Sequence, residues 1–335
     1  MEWFKEHIIG IFISLLLALV ATKLGSLFPI IGGPVFGIVM GIIINNTLGK
    51  PKAASKGIAF TSKKILQWAI IVLGAGLNLM QVLNTGLSSF SVMIFTLSAA
   101  FITAYVFGKL LGIPKNLRNL IGVGTAICGG SAIAAISPII EAEDTEIAYS
   151  VSTIFLYNII AVLVFPPIGH IIGFSDKAFG LWAGTAINDT SSVVAAGYAF
   201  SNVAGAYATI VKLTRTTMII PISLIFAFIT SYKKKKESTQ DSKVNYNIKK
   251  IFPWFILGFL LASLLNTMGL FTGASIKYIN LTAKFMIVMA LSAIGLNTNF
   301  KAIIKNGLKP MLLGLIVWFS VAIVSILVQF STGQI

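Results

Sequence analysis

Five consecutive polar residues, Asn188, Asp189, Thr190, Ser191 and Ser192, interrupt an otherwise apolar stretch. An ionised aspartate in the middle of a hydrocarbon layer costs about 3 kcal/mol, so such a residue usually faces a cavity and marks an ion or proton path. Asp189 is therefore the candidate coupling residue, exchanging a proton, ligating a cation or holding a basic partner; the plain alternative is a structural hydrogen bond. Further on, Lys212 and Arg215 stand three residues apart, on one face of a helix. Two cations near that polar run would suit an oxyanion, with Arg215 offering a bidentate fork. Neutralising Asp189, or snorkelling to an interface, is the competing reading of the same pair.

A second unusual segment reads GVGTAICGGSAIAAISP from Gly122 to Pro138. Gly129 and Gly130 each weaken a helix by roughly 1 kcal/mol relative to alanine and leave backbone polar groups open. In hydrocarbon such a break survives only where protein or water satisfies it, and interrupted helices are how many secondary transporters build sites for ions. Close packing of small residues is the alternative. The two segments share Gly-Thr-Ala-Ile followed by a serine, which aligns Thr125 with Thr185 and Ser131 with Ser191 at a constant offset of 60. Asn297, in Gly-Leu-Asn at the end of another apolar stretch, echoes Gly76 to Asn78.

The elements that would carry these residues are membrane helices. The chain is 56% hydrophobic and only 10% charged, too little charge for the roughly 25% that a soluble surface carries. Its apolar runs match the length of about 20 residues that a helix needs to cross hydrocarbon, not the shorter alternating strands of a barrel. About eleven such runs are expected, near 8–27, 33–46, 65–83, 89–112, 119–139, 147–171, 179–199, 207–232, 251–270, 278–297 and 310–332. The first lacks a small-x-small cleavage site and reads as a retained helix. A formal charge of +15 comes from lysines in the gaps between runs, which is a topology signal and not a nucleic-acid footprint. Lysines at 50–64, 115–118, 233–250 and 301–309 orient those loops, and the N-terminus, to the cytoplasm of an inner membrane. The acidic stretch of Glu141, Glu143, Asp144 and Glu146 falls outside in that scheme. Residues 233–250 form a basic cytoplasmic linker that attracts anionic lipid.

The expected architecture is an all-α integral membrane domain over residues 1–335. We expect two inverted five-helix repeats, 29–171 and 178–332, with the broken fifth span crossing the tenth, the seventh alongside, and one extra N-terminal helix. One cysteine, Cys128, allows no disulfide framework, and two histidines form no metal-ligand cluster. No cofactor is implied. Without HExxH, a nucleotide-binding loop or a histidine near Asp189, the chain reads as neither a metalloprotease, an ATPase nor a serine hydrolase.

GTAICGGSAIAAISPIIEAEDTE, WAGTAINDTSSVVAAGYAF, VKLTRTTMIIPI and PWFILGFLLASLL, in this order across most of the chain, resemble the YeiH-type membrane proteins, a family named for sulfate export. That family is grouped with the bile-acid symporters and cation/proton antiporters, and the resemblance implies inverted repeats with crossed broken helices. The combined expectation is a secondary transporter of a small anion such as sulfate, a sulfonate or a carboxylate, coupled to H+ or Na+ through Asp189. Thr125, Gly129, Gly130, Ser131, Thr185, Asn188, Ser191, Ser192, Lys212, Arg215 and Asn297 would contact the solute. A cation/proton antiporter with Asp189 as carrier is the alternative, an intramembrane enzyme a distant third. Membrane lipid and a second copy of the chain are the other partners considered.

Overall fold

A computed structural model describes residues 2–28, 32–237, 254–298 and 308–335. The described residues are helical with no strand, as expected of backbone that must satisfy its own hydrogen bonds in lipid. Seven helical segments are long and apolar enough to span, and two shorter helices, Gly33–Thr47 and Trp254–Thr267, are also apolar. The spans are α1 (Glu2–Leu27), α2 (Gly32–Thr47), a composite third segment, α5 (Leu79–Leu110), α8 (Asp144–Ile172), α11 with α12 (Asn202–Thr217, Ile219–Glu237), α13 (Trp254–Thr267), α14 (Gly273–Asn297) and α15 (Leu308–Ser331). The third segment joins a short 3-10 turn (Lys52–Ala54), α3 (Ser55–Phe60), a π turn (Thr61–Ile65) and α4 (Leu66–Gly74). Proline at 221 falls just after the junction of α11 and α12, where it supplies no N–H to continue the helix.

The expected fifth and seventh spans do not cross. Each is a pair of short helices, α6 (Lys115–Ala126) with α7 (Gly130–Ile136), and α9 (Asp176–Ala186) with α10 (Thr190–Phe200). For the second pair the evidence is direct. Gly180 lies against Ala204 and Tyr207, and Gly184 against Ala208 and Val211, so α9 runs parallel to α11; Gly197 lies against Gly205, so α10 runs back. The outer ends meet: Ser201 Oγ donates to Asp176 Oδ1 at 2.6 Å, and Phe179 stacks on Phe200 at 4.0 Å. The α9–α10 unit is a hairpin that enters and leaves on one face.

The first pair follows from the directions of its neighbours. Thr103 meets Ser320 at 3.0 Å and Gln334 reaches the Ser88 carbonyl at 3.3 Å, so α5 and α15 are antiparallel. Gly314 packs on Thr153 and Trp318 stacks on Tyr157 at 5.5 Å, so α8 is parallel to α15. Gly108 meets Arg118 and Gly122 meets Ala104, so α6 is antiparallel to α5. Helices α6 and α8 therefore start from the same face, and α7 with the turn after it must bring the chain back. The acidic residues Glu141, Glu143 and Glu146 consequently return to the face of Lys109 and Lys115, not to the opposite one expected from charge. The tenth span, α14, is continuous, so the anticipated crossing of the fifth with the tenth is replaced by a meeting of the fifth with the seventh. The 233–250 linker lies mostly outside the described residues.

Two bundles result. Helices α1, α2, α3–α4, α13 and α14 pack together, with Gly10 against the backbone of Ala54 and Gly57 where α1 and α3 nearly touch. Helices α5 to α12 and α15 share a second core that includes Met93, Leu120, Phe179, Trp182 and Val317. The hairpins belong to the second bundle and their tips approach the first.

Candidate functional site

The tips of the hairpins meet. Helix α6 stops at Ala126, and Gly129 adopts φ +68° before α7 begins. A left-handed φ of this kind is open to glycine and strained for other residues. A Cβ placed on Gly129 would lie 3.3 Å from Ile154 and 3.5 Å from the Cβ of Asp189. The second tip breaks without glycine: Ile187 and Asp189 are extended, and the Asp189 carboxylate caps α10 by accepting from the Ser191 N–H at 3.1 Å and from the Ser191 hydroxyl. The Asn158 side chain on α8 accepts from the N–H groups of both Asn188 and Asp189 at 3.2 Å. The N–H groups of Asn188, Asp189 and Ser191 thus find oxygens, as a low-dielectric setting demands.

Behind the tips, Lys212 and Arg215 are fully buried. Lys212 Nζ donates to the carbonyls of Ile127 at 2.7 Å and Ile187 at 2.9 Å. Arg215 donates from Nη2 to Thr125 O at 2.7 Å, from Nε to Ala126 O and from Nη1 to Thr185 O. These are the final carbonyls of α6 and α9, which have no partner within their own helices and carry the negative end of the helix dipole. One helix, α11, therefore fastens both tips through two cations. Neither cation forms an ion pair within 4.0 Å of the Asp189 carboxylate.

A cavity of about 580 Å³ opens in front of the tips, between the two bundles. Of the residues nominated from sequence, Gly130, Ser131, Asp189, Ser191 and Asn297 line it, joined by Thr190. Thr125, Gly129, Thr185, Asn188, Ser192, Lys212 and Arg215 are not in its wall. Thr185 bonds Ser325 at 2.7 Å, while the Thr125 hydroxyl and the Asn188 amide are buried with no partner. Asn297 accepts from Lys50 at 2.8 Å and donates to Ser62 at 3.3 Å, at the mouth. The lining runs from Lys63 and Thr298, on the face of the 48–64 lysines, down to Gly130 and Asp189 at the tips. Sequence reasoning missed Lys63, Gln67, Ser152 and the apolar wall of Leu66, Ile70, Phe155 and Ile294. In the sequence Lys63 reads as one lysine of the basic 48–64 loop; the π turn that carries it leaves no signature in the residues.

Comparison with known proteins gives one consistent result. Residues 9–314 match the family described as conserved hypothetical protein 698. A UPF0324 membrane protein of Clostridium tetani is 46% identical over 345 aligned residues, covering 100% of both chains. Others from Fusobacterium nucleatum and Streptococcus agalactiae are each 47% identical, with 98% of this chain and 99% of theirs aligned.

Proposed function

This chain belongs to the UPF0324 membrane-protein family, and we propose that it is a secondary transporter of a small anion. The observation that carries the proposal is the meeting of two interrupted hairpins at the floor of an open cavity. Unwound backbone at membrane depth is tolerated where it lines a solute path, and half-helix N-termini there offer partial positive charge and N–H groups. Thr190, Ser191 and nearby Ser131 give that floor hydroxyl groups for the solute. Lys212 and Arg215 support that floor electrostatically from behind, and Asp189 is the coupling residue, since an anion beside it is favoured when its charge is neutralised by H+ or Na+.

The cavity opens towards the lysine-rich face, which we assign to the cytoplasm on the positive-inside rule, in a bacterial inner membrane with the N-terminus inside. Movement of one bundle against the other would then close it and expose the tips to the far side. A second reading has its own support: among the described residues Asp189 is the one acidic residue in the cavity wall, so a cation or proton antiporter that carries no anion fits the same floor. Currents from proteoliposomes on a solid support separate the two. The anion reading expects charge movement after a jump in sulfate, sulfonate or carboxylate at constant cation and pH; a response confined to cation or pH jumps would replace it with the antiporter.

A further inference from the structure

We infer that the solute is a small organic anion with an apolar body, and that its charged head is held by Lys63. This rests on the anion-transport reading above and names the class of anion. Lys63 sits in the π turn Thr61–Ile65, a geometry that adds a residue to the turn and redirects the side chains after it. The turn is fixed at its start by buried Thr61, whose hydroxyl donates to Gly57 O at 2.9 Å. Among the described residues Lys63 is the one cation in the cavity wall, and it forms no ion pair with any of them. The cations that sequence favours, Lys212 and Arg215, have given their donors to carbonyls. Lys63 therefore has the free charge, and it belongs to the opposite bundle from Asp189, so a bound anion spans the interface that must move.

The rest of the wall describes the other end of the solute. Leu66, Ile70, Phe155 and Ile294 line the space between the polar patches, and a cavity of about 580 Å³ is in the range that holds a ligand of many atoms. Bare sulfate would leave these side chains without a partner, whereas each buried methylene raises affinity about fourfold. Lys63, the one cation among the described wall residues, balances a single negative charge, which points to monoanions such as alkanesulfonates.

The test uses the full-length protein in detergent at constant ionic strength, with dissociation constants from ligand-dependent thermal shifts for sulfate and for methane-, propane- and pentanesulfonate. Affinity is expected to climb about fourfold per methylene. Lys63→Gln should weaken every sulfonate by about tenfold or more with the chain-length slope retained, Lys63→Arg should restore it, and Phe155→Ala should flatten the slope. Pentanol, which lacks the charge, should give no shift. Sulfate binding as tightly as pentanesulfonate, an equal shift from pentanol, or unchanged affinity in Lys63→Gln overturns this inference while leaving the anion reading intact. A wild-type protein indifferent to all four anions removes both.

Discussion

The two hairpins carry the same four residues before their breaks, Gly124 to Ile127 and Gly184 to Ile187, yet they turn by different means. The first relies on the left-handed backbone of Gly129 and has no capping side chain on α7. The second uses extended residues and a carboxylate cap from Asp189. The halves agree where their C-terminal carbonyls must be held by α11, and diverge at the pair that faces each other, Gly129 and Asp189. Scaffold duties are thus shared equally, while the ionisable group is given to one tip and the room for it to the other.

Breaking the shared part should have the largest effect. Arg215→Gln leaves the carbonyls of Thr125, Ala126 and Thr185 short of donors in a dry setting, and each such loss costs about 1–3 kcal/mol. We expect a destabilisation of about 3 kcal/mol or more, read as a lower unfolding temperature and poor yield. Normal stability with weakened anion binding would return Arg215 to the solute. Asp189→Asn should keep the fold and reduce transport to below about a tenth of wild type; undiminished, equally coupled flux would remove Asp189 from the cycle. Gly129→Ala meets both the positive φ and the contact with Asp189, for a cost of about 1–2 kcal/mol and a loss of transport. Gly130→Ala, whose Cβ would meet only the Phe155 ring at 3.8 Å, should change stability by less than about 0.5 kcal/mol. Equal sensitivity at the two glycines, in thermal unfolding and flux, would contradict the geometry of the first tip. Thr185→Val removes the bond to Ser325 and should cost about 1 kcal/mol with transport preserved.

Much of this was legible in the residues. Hydropathy and lysine placement gave an all-helical membrane chain, and the paired glycines and the polar run marked the positions where helices stop. Re-entry was not legible, because a hairpin of two short helices has the same length and polarity as one span. The offset of 60 was the available clue: it aligns α6 with α9, α7 with α10 and α8 with α11 and α12, a unit of hairpin plus crossing helix. The acidic turn misled for a related reason, since charge rules assign loops only after the crossings are known. Lys212 and Arg215 read from sequence as solute contacts or as partners of Asp189, but the groups they serve are main-chain oxygens, and nothing in a side-chain pattern reveals those. Lys63 failed in the opposite direction: its neighbours are lysines, and only the packing of α4 against α14 separates it from them.

Because a single helix grips the ends of both α6 and α9, neither hairpin is at liberty to swing alone. Whatever displacement the tips undergo is a displacement of α11 as well, with α12 continuing from it towards the lysine-rich surface. A covalent tether joining the two tips would go unnoticed by the working protein, whereas one joining either tip to α4 would arrest it.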